Sequence, residues 1–503
     1  MKRVGAGRFL TVPLDADSRI PLHRQIYSDV RERILTGALR AGTLLPSTRA
    51  LASDLHVARS TVVQAYEQLR AEGYLESERG GTRVSDIAGD VRVTAPATTR
   101  PDSGPPPPKR LPEFAKGMTQ LRNALTIGPR APRAFRAAVP AVDAFPISLW
   151  TQTVNRVLRR APGKQLAYGD PLGFMPLREA IADYLTASRG VRCSAAQIVV
   201  VNGSQHALTL CASALITPGD EVWIEDPFYV GARAAFELAR AALVPIGVDD
   251  EGLCVAEGIR RAPHARAAFV TPSRQLPLGV TMSVARRLEL LDWARQSRSW
   301  VIEDDYDSEF RYTSRPITAL QGLDDAGSVI YVGTFSKVMF PALRLAYMVV
   351  PPALLDRMHT VRFFSDFHTE YLTQAAMAEF IRQGHFERHV RRMRMTYAER
   401  ANLLATALRD RLGDRLDVPT PTAGLTLVAG LRADDDAVAI ARESTDGGVE
   451  LVPVSAFTME HPVRPMLLFG FGGLAPREIR EGVDAFAKIL ERYDAKRLRL
   501  TAT

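Results

Sequence analysis

A lysine at the end of an apolar run is the residue in this 503-residue chain whose position first points to chemistry. The run is Ser328-Val329-Ile330-Tyr331-Val332-Gly333-Thr334-Phe335-Ser336-Lys337, with Arg344 following shortly after. Its first half, rich in β-branched and aromatic residues, predicts a short buried strand that stops at Gly333. An ammonium at the end of such a strand must be paired or lose its proton. A neutral amine is what a Schiff base with an aldehyde requires. Arg344 suits bidentate contact with a phosphate. The plainer alternative is a lysine that reaches the surface just past a strand.

Two upstream segments favour the chemical reading. Trp300-Val301-Ile302-Glu303-Asp304-Asp305-Tyr306 is a second buried-strand pattern ending in acids, and a carboxylate there suits a protonated pyridine nitrogen. Ile198-Val199-Val200-Val201-Asn202-Gly203-Ser204-Gln205-His206 reads as strand, glycine turn and helix start, a turn that presents backbone N–H groups to an anion. Together these segments resemble the pyridoxal-phosphate site of the fold-type I aminotransferases. Gly-Thr-Phe-Ser-Lys (333–337) with Glu-Asp-Asp-Tyr-Asp-Ser-Glu-Phe (303–310) is similar to the MocR subfamily of GntR transcription regulators.

That resemblance covers about residues 140–490 and implies roles for particular residues. Lys337 carries the Schiff base to pyridoxal 5'-phosphate. Gly203, Ser204 and Gln205 form a phosphate cup, with Thr334 and Arg344 as further phosphate ligands. Asp304 meets the pyridine nitrogen, Tyr306 the ring hydroxyl, and Tyr229 stacks on the ring. Tyr168-Gly169-Asp170-Pro171 and Leu177-Arg178 look like the start of the same fold. Two departures bear on function. Arg274-Gln275-Leu276-Pro277-Leu278-Gly279 stands where the subfamily commonly has His-Gln-x-Pro-Thr-Gly, which puts a cation near the cofactor. Leu467-Leu468-Phe469-Gly470-Phe471 stands where catalytic relatives have Leu-Arg-Leu-Gly-Phe, so the arginine that clamps a substrate carboxylate is missing. Arg464 is near but off register, and Arg274 is a substitute anchor to be tested. Without the clamp, binding and near-attack geometry both suffer, which implies at most weak transamination.

The elements that must hold these residues follow from length and pattern. A chain of this length predicts two or three domains. Beyond about residue 118, strands alternate with helices, the sign of an α/β fold with a mainly parallel sheet. Its ligands then gather at the C-terminal strand ends. Residues 86–117, with Pro105 to Pro108, predict an extended spacer rather than a packed element. With 46% hydrophobic and 24% charged residues the composition is that of an ordinary globular protein. No apolar run reaches the roughly 18 residues of a membrane span, and the basic start lacks the apolar stretch of a signal peptide. Cys193, Cys211 and Cys254 are too few and scattered for a disulfide framework or zinc cluster. No metal site and a cytoplasmic location are the expectation.

The first 85 residues predict a different unit. Leu22, Ile26, Val30 and Ile34 form one helical stripe, broken after by Gly37 and Gly42. Arg49–Leu55, the turn His56-Val57-Ala58 and Arg59–Leu69 read as a helix-turn-helix whose second helix enters the major groove by its N-terminus. There Arg59 suits guanine or phosphate, Gln64 adenine, and Ser60 and Thr61 phosphate oxygens. Glu72–Glu76 and Arg79–Val84 predict a hairpin wing. Leu-Pro-Ser-x-Arg-x-Leu-Ala (45–52) and Ala-Tyr-x-x-Leu-x-x-Glu-Gly-Tyr (65–74) resemble the GntR winged helix. The resemblance implies Ser47, Arg49, Arg59, Thr61 and Gly81 as contacts to double-stranded operator DNA. The net charge of +8 is consistent with such a partner but does not decide it.

The expected organisation is a winged helix-turn-helix at 14–85, a spacer at 86–117 and an aminotransferase-like domain at 118–503. A regulator that binds pyridoxal phosphate and a small-molecule effector as a homodimer is the reading this supports. A working aminotransferase with an appended DNA-binding domain, and a regulator that has lost the cofactor, are the alternatives.

Overall fold

The computed structural model describes residues 10, 12–15, 17–78, 81–86, 133–137, 139–312 and 317–501. The chain separates into two compact units, residues 1–110 and 111–503. The spacer predicted over 86–117 lies, beyond Asp86, outside the described residues.

In the first unit three helices precede a hairpin: α1 (Leu22–Leu35), α2 (Thr48–Asp54), α3 (Arg59–Ala71), then β1 (Leu75–Glu78) antiparallel to β2 (Gly81–Val84). Ile26, Val30 and Ile34 of α1 and Val62, Ala65, Tyr66 and Leu69 of α3 are buried, as their spacing predicts. Leu22 is only half-buried. The Ser47 hydroxyl caps α2 by accepting from the Ala50 amide at 3.2 Å, which satisfies one of the amides that every helix start leaves open. The Tyr66 hydroxyl donates to the Pro46 carbonyl at 3.2 Å and ties α3 to the start of α2. Leu10 and Val12 also belong to this core. They lie upstream of the predicted start at residue 14, and two apolar residues ahead of a polar stretch carry no periodic signal.

The second unit is built on an eight-stranded sheet in the order β3-β10-β9-β8-β7-β4-β5-β6. Its strands are β3 (Ile198–Val201), β4 (Glu221–Asp226), β5 (Ala242–Asp249), β6 (Gly252–Leu253), β7 (Ala267–Val270), β8 (Trp300–Asp305), β9 (Val329–Thr334) and β10 (Ala346–Val349). Neighbours pair in parallel except at β10 and β6. The central strands are buried on both faces, as all-apolar runs require. β9 runs one residue past Gly333, because Thr334 pairs with Ala346 of β10. β4 likewise continues through Asp226, paired with Gly247 of β5. Neighbouring strands satisfy the backbone there, and local sequence does not show it. A second, antiparallel sheet, β11 (Thr426–Gly430), β13 (Met466–Gly470) and β12 (Val452–Pro453), has β13 in the centre. No helix of the described residues is long and apolar enough to cross a membrane.

The segment between β12 and β13 is tied to the end of β4. Asp226, fully buried, accepts the amides of Met459, Glu460 and His461 at 2.8 Å each. The His461 ring bridges Asp226 through Nδ1 and Glu257 through Nε2, each at 3.0 Å. Burial works against a charged imidazole, but the two carboxylates outweigh it and raise its pKa above the usual 6.5. A raised folded pKa stabilises fully below the unfolded value, and the contribution is lost as pH rises through the folded one. Urea midpoints between pH 5.5 and 9 are expected to fall on the alkaline side, and His461→Gln to flatten that fall. An unchanged slope in His461→Gln removes this histidine from the pH dependence.

Candidate functional site

The parallel strands place Val201, Asp226, Val270, Asp305 and Thr334 at one edge of the sheet, and the predicted pocket residues assemble beside it. Lys337 follows β9 by three residues and is half-buried. Burial lowers its pKa, opposed by the carboxylates of Asp307 and Asp304, so both acids lie within electrostatic reach of the amine. Asp304 ends up buried, with Oδ1 lacking any hydrogen-bond partner. Burial, together with the Asp305 and Glu225 carboxylates, pushes its pKa up to about 7. Asp305 also has one unpartnered oxygen, but its other one accepts from Arg189 and from the Tyr331 hydroxyl at 2.7 Å. Asp304 is therefore the acid of this row still in want of a donor.

On the opposite side of the pocket, helix α4 (Ser204–Leu215) begins directly after Gly203. Gly203 has φ +107°, and a Cβ there would lie 2.7 Å from the Arg344 guanidinium. The backbone conformation disfavours a side chain there, and one would also push the arginine aside. Arg344 donates to the Asn202 carbonyl at 2.9 Å, which holds the guanidinium against the open amides of the α4 N-terminus. Tyr229, half-buried, is hydrogen-bonded to Ser204, and burial pushes its hydroxyl up to about 12. Thr334 is buried, and its Oγ1 accepts from the Ser336 amide at 3.1 Å. The Gln205 side chain donates to the Gly231 carbonyl at 2.9 Å, so what this residue offers an anion is its backbone amide.

Both terminal nitrogens of Arg274 are engaged. It donates to Tyr306 Oη at 3.2 Å, to Asp307 Oδ2 at 3.3 Å, and to the Thr426 carbonyl and hydroxyl at 2.8 and 3.2 Å. Burial disfavours its charge, and Tyr306 and Asp307 outweigh burial, so its pKa is raised. Burial lifts the Asp307 pKa to about 6, and the Arg274 guanidinium opposes the rise. Gly424, at φ +84°, leaves the space the guanidinium fills, since a Cβ would come within 2.4 Å of it. Arg464 pairs instead with Asp417 at 2.7 Å, both exposed. Asp307, Thr426 and Gly424 are the neighbours that sequence reasoning did not assign. Only the acid run 303–309 carried any signal for them.

In the first unit Ser47, Arg49, Arg59, Ser60, Gln64 and Gly81 are exposed, and Thr61 is half-buried. Arg59 opens α3, with Nε 3.5 Å from Thr48 Oγ1. Ser60 and Gln64, four residues apart, share its outer face. Gly81, at φ +130°, lies on the hairpin in register with Glu78.

Residues 22–84 match the family of bacterial regulatory proteins known as the gntR family. Residues 142–486 match aminotransferase class I and II. Over 94% of both chains the sequence is 40% identical to the probable rhizopine catabolism regulatory protein MocR of Rhizobium meliloti. The chain belongs to the MocR-type regulators of the GntR family. This MocR-type chain is also 35% identical to the uncharacterized HTH-type transcriptional regulator YhdI of Bacillus subtilis, over 96% of its own length and all of the other. Its large unit is similar to a multiple substrate aminotransferase from Thermococcus profundus, with TM-score 0.69 and 26% identity over 77% of this chain and 98% of that one. It is similar too to LysN, the α-aminoadipate aminotransferase of Thermus thermophilus solved with N-(5'-phosphopyridoxyl)-L-leucine, with TM-score 0.68 and 25% identity over 76% and 98%.

A MocR-type helix-turn-helix implies DNA binding, and α3 makes the interface testable. Arg59→Ala is expected to weaken specific DNA binding by about 1–3 kcal/mol with unchanged thermal unfolding. Gel-shift titration at fixed salt measures it, and an unaltered affinity places the recognition surface elsewhere.

Proposed function

We propose that this protein is a DNA-binding transcriptional regulator that holds pyridoxal 5'-phosphate and senses a small amine or amino-acid-like effector, or the cofactor itself. In this reading residues 14–85 are the DNA-binding head, 86–117 a spacer and 118–503 the effector domain. The observation that carries it is the buried, unpartnered oxygen of Asp304 within reach of Lys337. A pyridinium N–H is the donor that such a carboxylate lacks.

The residues fit the cofactor. Asp304 would hold the pyridine nitrogen in its protonated form, Tyr229 would lie against the ring, and Tyr306 would meet the ring hydroxyl. The amides of Ser204 and Gln205, with Gly203, Thr334 and Arg344, would bind the phosphate. Bound there, the cofactor supplies an electrophilic carbonyl carbon and a ring that takes up electrons. Burial lowers the Lys337 pKa, which favours the neutral amine that attachment needs. An effector shifts the DNA-binding equilibrium by its differential affinity for two states of the protein. Leu468, in place of the clamp arginine, argues against turnover of ordinary α-amino acids.

An exposed aromatic face supports a two-copy assembly. Tyr168 is 85% exposed and stacks on Phe367 with centroids 5.6 Å apart, while Phe364 is 81% exposed. Large aromatics gathered in water are the mark of an interface, and a second copy of the chain is the proposed occupant, as closed two-fold dimers are the commonest assembly.

Borohydride reduction of the cofactor-loaded protein is expected to add one pyridoxyl group to the peptide carrying Lys337, and Lys337→Ala to abolish it. Mass spectrometry reads the result, and labelling of another lysine overturns the assignment. Light scattering at micromolar concentration should give twice the chain mass; a monomer removes the two-copy assembly.

A further inference from the structure

The second sheet shows what the pocket lacks. Along β13 the residues alternate: Leu467 and Phe469, with Phe471 just beyond, sit in the main hydrophobic core, while Leu468, although only 2% exposed, does not. Leu468 faces the other way. It is paired directly with Val428 of β11, and Val428 shares its face with Thr426 two residues before. Thr426 in turn binds Arg274, which binds Tyr306 and Asp307. The face that carries Leu468 is thus continuous with the pocket wall, and at its centre it offers Val428 and Leu468, with no donor on either side chain.

The cation on that wall offers a ligand no net charge. A carboxylate gains from an arginine only when the guanidinium is not already neutralised and its donors are available. Arg274 is neutralised by Asp307, and both terminal nitrogens already donate, two bonds each. To seat a carboxylate there, the ligand must displace Asp307, leaving a buried carboxylate unpaired, which costs several kcal/mol. The third arginine considered from the sequence, Arg464, is spent on Asp417.

We propose that the effector is a primary amine with no carboxylate beside its amino group, received by the uncharged Leu468–Val428–Thr426 face. The proposal rests on the cofactor reading above, and it narrows the effector from amino acids to amines that carry no carboxylate. Carboxylate-bearing effectors are disfavoured because their charge is stripped of water while Arg274 and Arg464 are already held by Asp307 and Asp417.

A matched pair isolates the one group at issue. L-alanine and 2-aminopropan-1-ol have the same carbon skeleton and differ in a carboxylate against a hydroxymethyl group. The cofactor-loaded full chain is titrated with each, following the visible absorption band of the bound cofactor, and a parallel gel shift on the DNA flanking its own gene follows the regulatory response. The amino alcohol is expected to perturb the band at a concentration at least tenfold lower than L-alanine. Leu468→Arg is expected to reverse that order. Equal or tighter binding of L-alanine by the unaltered protein overturns the proposal, and because this comparison needs no variant it holds even if Leu468→Arg does not fold. A normal band and Lys337 adduct with L-alanine preferred sinks the effector class alone. Absence of band and adduct before any amine is added sinks the cofactor reading and this proposal with it.

Discussion

Three successive acids at the end of β8, Glu303, Asp304 and Asp305, are all buried, and much of the large unit is arranged to meet their charge. Removing a carboxylate from water costs several kcal/mol unless hydrogen bonds and counter-charges replace it. Glu303 accepts the amides of Leu320 and Gln321 at 2.8 and 2.9 Å, which caps the short helix that leads toward β9. Asp305 takes Arg189 from the helix Met175–Arg189 and the Tyr331 hydroxyl from β9. Asp307, two residues beyond the strand, takes Arg274 and through it the second sheet at Thr426. Each counter-group arrives on a different element, so satisfying the row brings those elements to the same edge. Asp304 is the acid whose buried Oδ1 goes unanswered without such a counter-group on its other oxygen, and the Lys337 amine lies within its electrostatic reach.

The same economy of partners sets the state of two arginines. Gly203 and Gly424 each leave room for a guanidinium, Arg344 in one case and Arg274 in the other. Their effects differ because their counter-charges differ. Arg344 bonds a neutral carbonyl and keeps its charge for an anion. Arg274 spends its charge on Asp307. Arg274 thus serves as a strut between the segment after β7, the acid run and β11.

The DNA-binding head obeys a simpler rule. Its core is a set of helical stripes closed by a two-stranded wing, and the polar residues at the start of α3 are left exposed because no core neighbour requires them. Hydrogen bonds from Tyr27 to Glu72 and from Arg31 to Tyr74, the latter at 3.1 Å, fasten α1 to the segment that leads into the wing.

What the sequence determined by itself was whatever a short window of residues encodes. The stripes of α1 and α3, the apolar strands β3, β8 and β9, the glycine turn before α4 and the lysine after β9 were all legible from spacing and residue type, and the missing arginine at Leu468 through the family resemblance. Three matters were settled only by tertiary structure. β9 runs past its local stop signal at Gly333, because hydrogen bonds from the neighbouring strand sustain it. Leu10 and Val12 join the head's core although no periodicity marks them. Arg274 is neutralised rather than available, a fact that depends on Asp307, Thr426 and Gly424 meeting it from segments far apart in the chain. Local pattern follows from the geometry of one helix or strand. The state of a buried charge depends on every element that packs against it, and that information exists only once the chain has folded.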